Sequence, residues 1–188
     1  MLAADSAEAR ELKVLVMGDS LSAAYNLRPE QGWVALADAR SNRYQFHNAS
    51  ISGETTAGGR SRIAAELARV KPDIVIIELG GNDGLRGLPL QQMGGNLGWM
   101  IGASEASGAR VLLAGMQLPP NLGRYAVDFQ RSFVLISERL NTGLIPHFLA
   151  PLGLDRRWFQ DDNIHPIAEA QPLLAEQVLQ ALDAMKGR

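Results

Sequence analysis

The sequence contains no cysteine. Disulfide bonds, zinc sites built on thiolates and a thiol nucleophile are therefore excluded, but the redox compartment is not decided, because a chain without thiols suits either one. An excess of charge is also lacking, since 18 basic residues stand against 20 acidic ones. We therefore predict no nucleic-acid partner and no binding to an anionic membrane surface. No apolar run approaches the roughly 18 residues that a membrane span needs.

The length and balance of residue types indicate one folded domain. The chain has 188 residues, of which 46% are hydrophobic and 20% are charged, and a chain of this size buries one ordinary core. We predict a single domain over residues 1–188, with a flexible segment over about residues 1–11. These first residues are small and polar, like the start of a mature exported protein, so we expect a periplasmic or secreted location. A frayed cytosolic N-terminus is the alternative.

Five apolar segments alternate with helical patterns along the chain. Residues 14–17 and 74–77 are continuously apolar, as expected of strands that are covered on both faces. The other three strands are predicted near Tyr44, Arg110 and Leu144. Helical spacing predicts helices over 33–40, around 63–70, and over 90–107, 125–141 and 172–185. This alternation predicts an α/β fold in which a parallel five-stranded sheet lies between two helical layers.

Ser20 follows the first predicted strand, in the sequence Gly18-Asp19-Ser20. A residue at the carboxyl end of a parallel strand lies where open α/β sheets bind their ligands. The same three residues also form an ordinary turn or helix N-cap, in which Asp and Ser accept hydrogen bonds from free backbone N–H groups. Both interpretations stay open on the local sequence alone.

His165 has a carboxylate at a useful spacing, because Asp162 precedes it by three residues in a polar loop. Side chains at this spacing can face the same way in a turn. Asp162 would then hold one ring nitrogen of His165 and leave the other free as a base. A serine hydroxyl needs such a base to act as a nucleophile, which makes Ser20 the candidate partner in a chain without cysteine.

Two further positions follow strands at the same predicted edge. The backbone N–H of Gly53 and the side-chain amide of Asn82 can meet the Ser20 N–H there and bind a developing oxyanion. Gly53 suits this role because it has no Cβ to keep its N–H at a distance.

The loop after the fourth predicted strand contains apolar and rigid residues. We interpret Leu118, Pro119 and Leu122 as an apolar wall for the acyl or aryl group of a substrate, with a plain connector as the alternative. The other two histidines, His47 and His147, have no partners at the spacing of metal ligands, so we predict no metal site. We also predict no cofactor, because the chain has neither a P-loop nor a strand-linked Gly-x-Gly-x-x-Gly.

These blocks together resemble the GDSL/SGNH hydrolases, in particular the bacterial thioesterase I group, whose members are also described as lysophospholipases and arylesterases. The similarity runs from about Leu12 over nearly the whole chain. The matching blocks, in order, are Gly18-Asp19-Ser20-Leu21-Ser22, the segment ending in Gly53, Gly80-Gly81-Asn82-Asp83 and Asp162-Asn163-Ile164-His165-Pro166.

The resemblance implies a flavodoxin-like three-layer fold, frequently a periplasmic location, and no metal. It implies Ser20 as the nucleophile, His165 as the base and then the acid, and Asp162 as the residue that orients it. Ser20, Gly53 and Asn82 are the implied oxyanion donors. The predicted function is hydrolysis of small acyl esters, aryl esters, acyl thioesters or lysophospholipids.

Two residues depart from the family pattern, because Ala24 and Asn163 stand where glycine is common. Neither carries a proposed catalytic atom, but each borders the predicted pocket and puts the choice of substrate in question. One alternative function is a carbohydrate O-deacetylase that uses the same residues. Another is a non-catalytic binding protein on the same scaffold. The oligomeric state does not follow from the sequence.

Overall fold

The computed structural model describes residues 10–185. In this part of the chain five parallel strands form one sheet in the order β2-β1-β3-β4-β5. The strands are β1 (Leu12–Gly18), β2 (Tyr44–Asn48), β3 (Ile74–Glu78), β4 (Arg110–Ala114) and β5 (Gly143–Ile145). The α-helices are α1 (Trp33–Arg40), α2 (Thr56–Val70), α3 (Gly81–Leu85), α4 (Leu90–Ala106), α5 (Gly123–Leu140) and α6 (Gln171–Ala184).

Helices cover both faces of the sheet. Helix α1 packs against α6, while α2, α4 and α5 pack against one another in succession. The side chains of β1 and β3 between these layers are fully buried over residues 14–17 and 74–77, which explains their continuous apolar sequence. The predicted three-layer, flavodoxin-like α/β fold with a five-stranded parallel sheet is therefore confirmed.

The N-terminal region was predicted to be flexible over about residues 1–11. Residues 1–9 lie outside the described part of the chain. Arg10 is held by an ion pair, with its Nη2 atom 2.6 Å from the Oδ1 atom of Asp73, and β1 begins two residues later. Among the described residues, no helix is long and apolar enough to cross a membrane.

Helix α3 was not among the helices predicted from the sequence. Glycine disfavours a helix by about 1 kcal/mol per residue relative to alanine, so tertiary packing must favour this one. Gly80 has a φ of 121° and turns the chain from β3 into the helix. Gly84 lies so close to Phe129 of α5 that a Cβ there would be 2.6 Å from the ring. The helix therefore depends on contacts that local propensity does not contain.

The strand order places three loops side by side. Because β1 lies between β2 and β3, the loops that follow these strands meet at the carboxyl edge of the sheet. Ser20 and Gly53 lie in the loops after β1 and β2, and Asn82 lies in α3, which begins three residues after the end of β3. A fourth segment, between β5 and α6, begins with two 3-10 turns, Ala150–Leu152 and Arg156–Trp158. Leu154 between these turns is fully exposed, and the loop that contains His165 follows.

Candidate active site

Ser20, His165 and Asp162 form a continuous hydrogen-bonded series. The Nε2 atom of His165 lies 2.8 Å from the Oγ atom of Ser20, and its Nδ1 atom lies 2.6 Å from the Oδ2 atom of Asp162. A carboxylate only accepts hydrogen bonds, so Nδ1 carries the proton and Nε2 accepts from the Ser20 hydroxyl. The structure thus brings together the three residues that the sequence analysis selected.

The Asp162 carboxylate is fixed from its other side by the loop itself. Its Oδ1 atom accepts hydrogen bonds from the backbone N–H groups of Ile164, at 2.9 Å, and His165, at 3.0 Å. Burial raises the pKa of Asp162, but the hydrogen bonds from the backbone and ring of His165 outweigh that effect and keep the pKa below its usual value. Asp162 is therefore ionised at neutral pH and holds the imidazole in one orientation.

The His165 loop is closed by Gln160, a residue to which the sequence analysis gave no role. The Gln160 backbone N–H donates to the carbonyl of His165 at 2.8 Å. Its side chain joins the loop that follows Ser20, because Nε2 donates to the carbonyl of Tyr25 at 3.0 Å and Oε1 accepts from Asn26 at 3.3 Å. The Tyr25 ring lies 4.3 Å from the His165 ring, centroid to centroid. These contacts fix the His165 loop relative to Ser20.

The other side of Ser20 opens into a cavity of about 270 Å³. Ser20, Gly53, Asn82 and His165 all line this cavity. Gly53 has a φ of 79°, a conformation that favours glycine. Within residues 10–185 the backbone N–H groups of Ser20 and Gly53 donate to no acceptor. Two free donors therefore border the space next to the Ser20 hydroxyl.

Asn82 differs from these two donors because its amide already has acceptors. The Nδ2 atom lies 3.0 Å from the Oδ2 atom of Asp19 and 3.0 Å from the carbonyl oxygen of Glu54. Each of the two amide protons thus has one acceptor. Asn82 supplies a donor to a bound oxyanion only when one of these protons is shared or released.

Two buried carboxyl groups, Asp19 and Glu78, lie beneath the turn that carries Ser20. Glu78 is the last residue of β3 and is 0% exposed, and Asp19 is 3% exposed. The Oε2 atom of Glu78 accepts from the Ser22 hydroxyl at 2.7 Å and from the Asp19 N–H at 3.4 Å. Its Oε1 atom is buried without a partner among the described residues.

Burial governs the charge of both carboxyl groups. Burial, followed by the neighbouring charge of Asp19, raises the pKa of Glu78 well above its usual value, so Glu78 is the neutral acid of the pair. Burial also raises the pKa of Asp19, to about 6, although a hydrogen bond from the Leu21 N–H opposes the rise. The only sign of this pair in the sequence is that Glu78, an acidic residue, directly follows the apolar residues 74–77 of β3.

The apolar side of the cavity consists of Leu85, Met116 and Ile164, together with Leu21 and Tyr25. The predicted wall residues Leu118, Pro119 and Leu122 are not among the lining residues. Leu118 instead packs against α3, with its methyl groups 2.9 Å from the position of a Cβ on Gly84. The 3-10 turn Pro120–Leu122 then leads directly into α5. The loop after β4 therefore reaches the cavity only through Met116.

No group of three or more acidic or histidine side chains within residues 10–185 is arranged to hold a metal ion. His147 lies apart from the cavity lining, and burial lowers its pKa. His47 also lies apart from the lining, on the edge strand β2. Of the three histidines, His165 is the one that lines the cavity.

The chain is similar in sequence to several known proteins. Residues 16–171 match the sequence model of the GDSL-like lipase/acylhydrolase family. The chain is 49% identical over 170 residues to esterase TesA of Pseudomonas aeruginosa, covering 88% of this chain and 85% of that one. It is 37% identical over 174 residues to thioesterase 1/protease 1/lysophospholipase L1 of Escherichia coli K12, covering 92% and 84%.

A solved structure agrees with the sequence comparisons. The psychrotrophic esterase EstA from Pseudoalteromonas sp., inhibited by monoethylphosphonate, matches with a TM-score of 0.89 and 38% identity. The match covers 95% of this chain and 100% of that one. The chain therefore belongs to the GDSL-like lipase/acylhydrolase family.

Proposed function

We propose that this family member hydrolyses carboxylic esters and thioesters with Ser20 as the nucleophile. The observation that carries the proposal is the pair of contacts through His165, 2.8 Å to the Ser20 Oγ and 2.6 Å to the Asp162 Oδ2. A nucleophile, a base and a group that orients the base are the parts that acyl transfer through serine requires. The relatives named esterase and thioesterase support the choice of bond.

The reaction proceeds through an acyl-enzyme. Ser20 Oγ attacks the carbonyl carbon of the substrate while His165 takes the hydroxyl proton, and the Asp162 carboxylate stabilises the imidazolium that forms. The tetrahedral intermediate collapses and its bond to the alcohol or thiol breaks, with the proton passing from His165 to the leaving group. Water then attacks the acyl-enzyme by the same relay, which releases the carboxylic acid and restores Ser20.

Negative charge develops on the carbonyl oxygen in both steps. The free N–H groups of Ser20 and Gly53 are available to bind it without breaking an existing hydrogen bond. Asn82 is the third donor and contributes by sharing one of the amide protons that it now donates to the Asp19 carboxylate and the Glu54 carbonyl. Ser20 and Gly53 belong to the loops after β1 and β2 and Asn82 belongs to α3, directly after β3, so the sheet fixes the separation of the three donors.

The lining of the cavity favours acyl and aryl groups as the bound part of the substrate. Leu85 and Ile164 are 49% and 44% exposed, so apolar surface is available at the open side of the cavity and is covered when a substrate binds. A carbohydrate would need several polar partners along this wall, which Leu85, Met116 and Ile164 do not supply. Small to medium acyl esters, aryl esters, thioesters and lysophospholipids are therefore the proposed substrates.

A periplasmic or secreted location is part of the proposal. It rests on the resemblance to the bacterial thioesterase I group, which implies a frequently periplasmic location, and on the similarity to the esterase and thioesterase relatives. Fractionation of cells that express the natural gene, with Ser20 labelling as the readout, tests it. Label confined to the cytosol would contradict it.

A fluorophosphonate probe tests the nucleophile directly. We expect the folded protein to be labelled on Ser20 and Ser20→Ala to be neither labelled nor active on a chromogenic ester. Ser52→Ala is the matched control for labelling, because Ser52 also borders the cavity but has no contact with His165. Absence of label on the wild type, or wild-type turnover by Ser20→Ala, would contradict the proposal. A panel of chromogenic esters of increasing acyl length, set against acetylated saccharides, then separates the esterase from the deacetylase.

A further inference from the structure

We propose that Asp19 is a positioning residue that determines which end of the Asn82 amide is available as a donor at the cavity. The inference rests on the proposed function, because Asn82 matters only if an oxyanion forms beside Ser20. Asp19 immediately precedes Ser20 in the chain and also lines the cavity. It contacts neither His165 nor the Ser20 hydroxyl through a hydrogen bond, so its effect on the reaction passes through Asn82.

The orientation of the Asn82 amide follows from the chemistry of its two partners. A side-chain amide offers two donors at its nitrogen and only acceptors at its oxygen. The Asp19 carboxylate and the Glu54 carbonyl both lie 3.0 Å from Nδ2, and both are acceptors. If the amide turned over, its oxygen would face two other oxygens in a partly buried site. The amide nitrogen of Asn82 therefore stays between the Asp19 carboxylate and the Glu54 carbonyl. The hydrogen bond to Asp19 is the stronger of the two, because its acceptor is charged.

Asp19 is itself held so that its two oxygens have separate partners. Its Oδ1 atom accepts from the Leu21 N–H at 3.0 Å and so forms the turn that presents Ser20, while Oδ2 faces Asn82. A Cβ on Gly81 would lie 3.4 Å from Oδ2, so the chain of α3 passes directly beside the carboxylate. One buried side chain thus connects the turn of the nucleophile to the amide of the third oxyanion donor.

The role depends on the charge of Asp19. A protonated carboxyl group carries a donor of its own, and the preference for the nitrogen of Asn82 is then lost. The acidic groups near Asp19 are Glu78 of β3 and Asp83 of α3, and the third titratable neighbour is His165. Burial raises the pKa of Asp19 to about 6. Because the ionised form is the one that orients Asn82, turnover should fall as the pH decreases through this region.

Asp19→Asn is the primary test, because asparagine keeps an oxygen for the Leu21 N–H but places an NH2 group against Asn82. We expect kcat to fall by about 10- to 100-fold with KM changed by less than about threefold, since only a transition-state interaction is lost. Glu78→Gln is the matched control. It alters the same buried pair without contacting Asn82, and its kcat should stay within about threefold of wild type.

The pH profile adds a readout that a merely structural role would not change. Asp19 must be deprotonated in the wild type, so log kcat should fall on the acid side as the pH decreases through about 6. In Asp19→Asn this contribution should be lost, so the acid slope of log kcat should be smaller than in the wild type. Wild-type kcat with an unchanged acid slope in Asp19→Asn would overturn the inference. An equal loss of kcat in Glu78→Gln would also overturn it, by assigning the effect to the buried pair as a whole.

A measurement on the wild type covers the case in which Asp19→Asn fails to fold. The NMR signals of the Asn82 side-chain NH2 group, assigned by their loss in Asn82→Ala, should shift between pH 5 and 8. The midpoint of this shift should match the pH at which kcat falls to half its value on the acid side. Signals that do not move over this range would overturn the inference. Fluorophosphonate labelling of wild-type Ser20 separates the two proposals: without labelling the proposed function fails, whereas labelling with a static Asn82 amide removes only the role of Asp19.

Discussion

The Nε2 atom of His165 lies 2.8 Å from the Oγ atom of Ser20, although 145 residues separate them. The contact between His165 and Asp162 spans three residues and is made within one loop. The two contacts of the series therefore have different origins. The first depends on how two distant loops meet, and the second is set by the loop itself.

Gln160 should control the first of these contacts. Its side chain makes two hydrogen bonds to the loop after Ser20, each worth about 1 kcal/mol. We expect Gln160→Ala to lower kcat by about tenfold because His165 is less often within reach of Ser20. Steady-state kinetics on a chromogenic ester measures the effect. Gln177→Ala, which loses one hydrogen bond to the Phe148 carbonyl outside the cavity lining, is the control, and equal losses in both variants would contradict the prediction.

Asn82→Ala should lower kcat by about 10²- to 10³-fold with little change in KM, as expected for the loss of one oxyanion donor. The fold should be retained, because the helix that carries Asn82 is also held by Asp83. The Asp83 carboxylate accepts from the backbone N–H and the hydroxyl of Thr56. Kinetics together with circular dichroism provides the measurement. An unchanged kcat would remove Asn82 from the oxyanion site.

Asp162→Asn should lower kcat by up to about 10⁴-fold without unfolding the protein. The asparagine oxygen still accepts the two backbone N–H groups of the loop, but the amide no longer favours the proton on Nδ1 of His165. Asp161→Asn is the matched control, because Asp161 is adjacent and its side chain makes no hydrogen bond to His165 within the described chain. A similar loss of kcat in both variants would mean that the assignment of Asp162 is wrong.

Glu78 predicts a pH dependence of stability. Its pKa in the folded protein is raised above the value of 4.5 expected for an exposed glutamate. Its favourable contribution to stability is therefore complete below about pH 4.5 and is lost as the pH rises through the raised value. Glutamine does not titrate, so the free energy of unfolding of Glu78→Gln should increase relative to wild type between pH 5 and 8.5. Urea unfolding of both proteins at pH 5 and at pH 8.5 measures these free energies. The same difference between variant and wild type at both pH values would contradict the prediction.

Much of the fold follows from the sequence because the strands of a covered parallel sheet are continuously apolar. The strands β1 and β3 begin and end within two residues of their predicted bounds. The common location of Ser20, Gly53 and Asn82 at one edge of the sheet was predictable for a related reason. Each follows a strand, and parallel strands bring their carboxyl ends to one edge whatever the loops between them do.

Features that depend on side-chain packing were not predictable in the same way. The path of the loop after β4 is decided by the contact of Leu118 with Gly84, so the apolar wall comes from Leu85, Met116 and Ile164 instead. The two departures from the family pattern have a backbone explanation that the sequence did not contain. Ala24 and Asn163 both have a φ of 56°, a conformation that glycine adopts without strain and asparagine tolerates better than alanine.

The exposed turn around Leu154 divides the active site along the chain. Ser20, Gly53 and Asn82 all precede it, whereas the acid–base pair of Asp162 and His165 follows it together with α6. A chain cut at Leu154 would thus leave the proposed nucleophile on one fragment and its proposed proton acceptor on the other. Neither fragment would turn over an ester alone, and hydrolysis would return only when the two reassemble. The two fragments could therefore serve as a split reporter. If each fragment is fused to one of two interacting proteins, the association of those proteins would be detected as ester hydrolysis.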